Sequence, residues 1–138
     1  AYSSYFANPG LMFPTALVDE ALAAKEFVFG IRAPGGAKAW PLSAFGGGRV
    51  INDRVGFSNV VLVGDEATRT VRAYERDGRS FSSDGGLDHL SADGMSWTVT
   101  EVALVAEDGT TLPRVAGHVA YWFAWAGYLR ESELYEPE

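Results

Sequence analysis

From Glu26 onward the chain is cut by turn-forming residues into runs that are rich in strand-favouring side chains and too short for stable helices. EFVFGIR, AKAWPL, GRVIND, NVVLVGD, TRTVRAYER, RSFSS, SWTVTEVALV and TTLPRV are each of strand length and carry Val, Phe, Tyr, Trp or Thr. Between them stand Pro34-Gly35-Gly36, Gly46-Gly47-Gly48, Asp77-Gly78, Asp84-Gly85-Gly86, Asp93-Gly94 and Asp108-Gly109, all hairpin or loop signals. This punctuation predicts a mainly β fold, a small barrel or sandwich of short antiparallel strands.

The two ends read differently. Residues 1–25 begin AYSSYFANPGLMFPT, where Asn8-Pro9-Gly10 and Pro14 favour turns and extended backbone. They are read as an N-terminal arm that packs Tyr2, Tyr5, Phe6, Leu11 and Phe13 onto the domain. VDEALAAKE, which follows, suits a helical turn or two. Near the other end, GHVAYWFAWAGYL predicts an aromatic-rich C-terminal helix, with His118, Tyr121, Trp122, Trp125 and Leu129 along one side. A membrane span needs about 20 consecutive apolar residues. This stretch is shorter and runs into Arg130, Glu131 and Glu133, so no transmembrane segment is expected.

A length of 138 residues suits one domain spanning 1–138, and the formal charge of −7 repels phosphate backbones, so nucleic acid is excluded as a partner. The absence of cysteine removes disulfides, thiolate metal sites and a cysteine nucleophile. No serine stands in a Gly-x-Ser-x-Gly elbow, and Gly46-Gly47-Gly48 lacks the lysine and helix of a phosphate loop. No catalytic residue is assigned. Ala1 with no signal-like segment behind it marks the chain as an expected piece of a longer one.

Three clusters remain as binding or interaction candidates. On a helix, His118 and Trp122 would stack one turn apart with Trp125 beyond them, forming either a core face or a grip for an aromatic ligand or partner. Asn52 and Asp53 sit at a strand end, where such side chains bind the backbone two residues on and close a turn; alternatively, Asp53 pairs with an arginine in a polar pocket. Asp84, Asp88 and Asp93 surround His89 in DGGLDHLSADG, a set of oxygen donors whose spacing does not match an EF-hand and whose Asp-Gly pairs suit plain turns. Trp40 before Pro41 is expected to be a buried anchor.

Ala39-Trp40-Pro41-Leu42, Val50-Ile51-Asn52-Asp53 and Val60-Val61-Leu62-Val63 follow one another in an order that resembles a bacterial family catalogued as domain-of-unknown-function family 3179. Ser96-Trp97, Gly109 with Leu112-Pro113, and the run His118 to Trp125 extend the resemblance over nearly the whole chain. Many members carry a Cys-Pro-x-Cys-Gly turn after the valine strand. Here Asp65 and Thr68 stand where its two cysteines would be, so no redox or metal chemistry carries over.

The resemblance implies the C-terminal, cysteine-less copy of a duplicated extracytoplasmic or periplasmic protein. It further implies a non-catalytic structural or interaction module whose partner is a protein, either the missing N-terminal copy or a larger complex, with no cofactor. The alternative expectation is a small-ligand or metal-binding protein that uses the His118, Trp122 and Trp125 helix or the Asp84 to Asp93 loop. An enzyme would require a concave site that gathers Asp53, Asp65 and a histidine.

Overall fold

The computed structural model describes residues 26–83, 86–122, 125 and 133–135. The arm assigned to residues 1–25 lies outside the described residues. Two sheets account for the strands. A small one joins β1 (Phe27–Ala33), β2 (Gly36–Pro41), β11 (His118–Tyr121) and β12 (Glu133–Leu134) in the order β11-β1-β2-β12. A large one orders β3 (Arg49–Val55), β4 (Ser58–Asp65), β5 (Thr70–Glu75), β10 (Thr111–Val115), β9 (Ala103–Ala106), β8 (Met95–Val99), β7 (His89–Ala92) and β6 (Ser82–Ser83). Every pairing in the large sheet is antiparallel. The mainly β reading holds.

The run Val60-Val61-Leu62-Val63 explains how the sheets combine. All four residues are buried, because β4 separates two cores. Val60 and Leu62 pack with Phe29, Ile31, Trp40, Phe45, Ile51 and Val55 between the sheets. Val61 and Val63 point the other way, toward Tyr74, Phe81, Leu90, Trp97, Leu104 and Leu112 inside the curled large sheet. A strand buried on both faces loses the usual polar alternation and reads as a continuous apolar run. Gly64 ends the run, since a Cβ there would stand 2.8 Å from the Phe45 ring.

The large sheet is nearly closed, and a side chain bridges its edges. Asn52, on edge strand β3, donates from Nδ2 to the Phe81 carbonyl at 2.9 Å and accepts the Phe81 N–H on Oδ1 at 2.8 Å. This pair of bonds copies a strand-to-strand bridge next to β6, where the ladder itself does not continue. Phe81 is thereby held over Trp97, with ring centroids 5.3 Å apart and planes near perpendicular.

Two readings change. The expected aromatic-rich C-terminal helix does not include His118–Tyr121, which is a strand whose Tyr121, Ala120, Val119 and His118 pair with Phe27 to Gly30 of β1. An apolar run does not by itself distinguish strand from helix, and here the open edge of β1 supplies hydrogen bonds that decide for strand. Gly117 and Gly30 permit this: a Cβ on the first would strike the Phe29 ring and one on the second the Trp125 ring. Residues 123–124 and 126–132 lie outside the described residues. In addition, SWTVTEVALV is two strands, because the Thr100 hydroxyl accepts the Ala103 N–H at 3.1 Å and donates to its carbonyl at 2.7 Å, turning the chain between β8 and β9.

If Asn52 closes the sheet, Asn52→Leu leaves two backbone groups of buried Phe81 unpaired and lowers stability by about 2 kcal/mol or more. Exposed Asn59→Leu on neighbouring β4 serves as control and changes stability by roughly 0.5 kcal/mol at most. Urea denaturation of both variants measures the difference, and equal midpoints would remove the bridge from the account.

Candidate functional site

Where the two sheets meet, β2 and β3 bring a lysine, a tryptophan and an aspartate together. Lys38 and Trp40 are two residues apart on β2 and share a face. Asp53 shares its face of β3 with buried Ile51 and Val55, so a carboxylate enters a largely apolar interface. The Trp40 indole N–H donates to Asp53 Oδ2 at 2.8 Å, and Lys38 Nζ lies 3.1 Å from the same oxygen and 3.2 Å from Oδ1. The backbone N–H of Arg54 completes the set on Oδ1 at 2.7 Å. A half-buried carboxylate is tolerable here because its lone pairs are occupied and its charge is met.

The Lys38 ammonium is also enclosed by π faces, 5.8 Å from the Trp40 ring centroid and 5.7 Å from that of Tyr135. Tyr135 is placed by its N–H, which donates to the Ala39 carbonyl at 2.8 Å just past β12. Beside this cluster, the β1–β2 and β3–β4 hairpin tips touch. Phe57 N–H donates to the Pro34 carbonyl at 3.0 Å, and Gly56, with φ of 56°, passes so close that a Cβ would stand 2.3 Å from that oxygen. A groove of about 560 Å³ opens along the tips, lined by Gly35, Gly36, Ala37, Lys38, Arg54, Gly56 and Glu133. Neither His89 nor His118 lines it, so the arrangement offers charge recognition without a histidine base.

The sequence profile of a family described as Protein of unknown function (DUF3179) matches residues 1–132. The chain belongs to the DUF3179 family. No curated protein and no solved structure matches it.

In this DUF3179 chain the residues singled out from sequence fall in different places. Asn52 and Asp53 are neighbours on opposite faces of β3: one closes the large sheet and the other joins the sheets. Neither side chain bonds the backbone two residues on, and Asp53 takes a lysine rather than an arginine on its carboxylate. His118 is exposed on β11 with its ring 5.6 Å from that of Trp125, while Trp122 and Trp125 are buried. Since His118 is in a strand, the helical stacking of His118 on Trp122 does not form.

Asp84 lies outside the described residues. Asp93 is bonded to Arg79 Nε at 2.7 Å, and Asp88 lines a separate hollow of about 240 Å³ with Asp65, Thr68, Thr70 and Arg72. No cluster of three His, Cys, Asp or Glu able to hold a metal ion occurs among the described residues. Asp65 instead accepts the Ala67 N–H at 2.9 Å and shapes the β4–β5 turn. No helix among the described residues is long and apolar enough to cross a membrane.

Two residues had no sequence signal. Arg76 spends its guanidinium on main-chain carbonyls: Asp53 at 2.8 and 3.1 Å, Val60 at 2.9 Å and Arg79 at 3.2 Å. Tyr74, buried in the second core, donates to the Thr100 carbonyl at 2.5 Å. Burial raises the phenol above its ordinary value, against the opposing pull of Arg72 and Arg114. Exposed Asp108 moves down instead, because the Thr110 hydroxyl and N–H bond its carboxylate.

If the indole–carboxylate bond joins the sheets, Asp53→Ala costs about 3 kcal/mol by stranding Trp40 and Lys38. Combined with Trp40→Phe, the loss falls short of the sum by about 1 kcal/mol, and a strictly additive double-mutant cycle would refute the coupling. For Tyr74, the raised folded value means that its contribution is complete below the unfolded value near pH 10 and is lost as pH rises through the folded one. Urea midpoints taken from about pH 9 to pH 11 therefore decline more steeply in wild type than in Tyr74→Phe.

Proposed function

We propose that this chain is a non-catalytic interaction module of an extracytoplasmic protein, the cysteine-less copy of a duplicated chain or a subunit of a larger assembly. The observation that carries the reading is the outer edge of the small sheet. Among the described residues β11 is the terminal strand in that sheet, and His118, Val119 and Tyr121 on it are exposed, Val119 at 37% and Tyr121 at 42%. Tyr121 stacks on Phe27 at 4.7 Å between centroids, and the Arg69 guanidinium lies 4.3 Å from the Phe27 ring. This edge has no proline, lysine or bulge of the kind that discourages pairing with another chain. An extended segment of a partner protein would add to β11 through main-chain hydrogen bonds, with Val119 and Tyr121 setting side-chain preference.

The use of Asn52, Asp53 and Arg76 within the chain's own frame supports a scaffold rather than a reaction centre. Native mass spectrometry of the protein isolated from its source tests the proposal. The wild type is expected with the added mass of a second polypeptide, and Val119→Lys is expected alone, with an unchanged melting temperature. A wild-type protein that carries only its own mass would overturn the reading, and an added mass of small-molecule size would favour a ligand at the His118 and Trp125 rings.

A further inference from the structure

We propose that Asp77 is a covalent modification site, where the Asp77-Gly78 linkage rearranges to isoaspartate and thereby loosens the closure of the large sheet. Asp-Gly pairs stand at Asp77, Asp93 and Asp108 among the described residues. In such a pair the glycine nitrogen can reach the aspartic acid Cγ, because glycine has no side chain to crowd the approach. The N–Cγ bond forms, and the amide proton and the carboxyl hydroxyl leave together as water, giving a succinimide ring. Water then adds at the Asp77 main-chain carbonyl carbon and breaks its bond to the Gly78 nitrogen. That carbon becomes the free carboxylate, and the main chain now runs through Cβ and Cγ.

The structure ranks the three pairs. At Asp108 the attacking nitrogen is engaged, since Gly109 N–H donates to the Ala106 carbonyl at 2.9 Å. Its carboxylate accepts the Thr110 N–H at 2.9 Å, a bond that favours the ionised form over the protonated one from which water leaves. Asp93-Gly94 is clamped on both sides by the β7–β8 ladder, with Ala92 paired to Met95, and Arg79 Nε holds the Asp93 carboxylate at 2.7 Å. Asp77 is held least. Its Oδ2 lies 3.4 Å from Arg79 Nη1, and its side chain is 79% exposed against 54% for Asp93. The Gly78 N–H has no acceptor among the described residues, and Arg79, Ser80 and Phe81 beyond it belong to no strand. Local opening therefore reaches the reactive geometry most easily at this turn. The position also gives the change a consequence. Isoaspartate inserts a methylene into the backbone between Arg76, which bonds the Asp53, Val60 and Arg79 carbonyls, and Phe81, which Asn52 ties to β3.

Ageing the full chain at neutral pH, followed by chymotryptic mapping and mass-spectrometric fragmentation that distinguishes isoaspartate from aspartate, tests the assignment. Isoaspartate is expected to accumulate at Asp77 at least about threefold faster than at Asp93 or Asp108 in the native protein. In concentrated urea the three rates converge. Aged wild type should also show a lower urea midpoint than fresh protein, whereas Asp77→Glu, whose longer side chain closes the ring poorly, keeps its own midpoint on ageing. Equal or faster conversion at Asp93 or Asp108 in the native state, no conversion at Asp77, or an Asp77 lead that persists in urea overturns the ranking. An aged wild type with an unchanged midpoint, or an equal decline in Asp77→Glu, overturns the link to sheet closure.

Discussion

β4 is buried on both faces, and the rest of the molecule is arranged around that constraint. A strand with Val60 and Leu62 on one side and Val61 and Val63 on the other needs two apolar layers to cover it. The small sheet supplies one, through Phe29, Ile31 and Trp40. The large sheet supplies the other by curling until Trp97, Leu104 and Leu112 face β4 from within. Burying a valine or leucine side chain is worth roughly 1.5–3 kcal/mol, so leaving either face of this strand open to water would sacrifice a large share of a small domain's stability.

Curling and stacking each leave an edge to be managed, and the polar residues of β3 manage them. Asn52, itself exposed, bridges the edges of the curled sheet, where its amide satisfies both backbone groups of Phe81. Asp53 faces the other layer, where the Trp40 indole and Lys38 occupy its carboxylate. Arg76 ties β3 to β4 by bonding the Asp53 and Val60 carbonyls. The alternation of a strand thus sends adjacent residues of one short motif to separate tasks. Arg54, the next residue, is left at the surface to face the groove.

The candidate site was only partly legible in the sequence. Asn52 and Asp53 stood out as polar residues at the end of an apolar strand, and Trp40 as a buried anchor. Their partners did not, because Lys38, Phe81, Arg76 and Tyr135 are brought in by chain folding from positions with no local pattern. The C-terminal aromatic run misled for a related reason. His118 to Tyr121 has no strong period of its own, and the open edge of β1 supplied the hydrogen bonds that a lone segment would seek within a helix. β7 was hidden inside an aspartate-rich loop signal, since Leu90 and Ala92 gain meaning only against Trp97 and Met95 across the hairpin.

The sequence by itself determined the mainly β class, most strand positions, and the turns at Pro34-Gly35, Asp77-Gly78, Asp93-Gly94 and Asp108-Gly109. These follow from local chemistry: β-branched and aromatic residues prefer the pleated backbone, and Gly with a preceding Asp tolerates positive φ, as Asp77 and Asp93 do at 50° and 56°. Tertiary structure alone decided which strands became neighbours, that β4 would be covered twice, and that Asn52 and Asp53 would serve different layers. Those outcomes depend on pairings between residues far apart in the chain, whose hydrogen bonds and buried area exist only after the sheets have assembled.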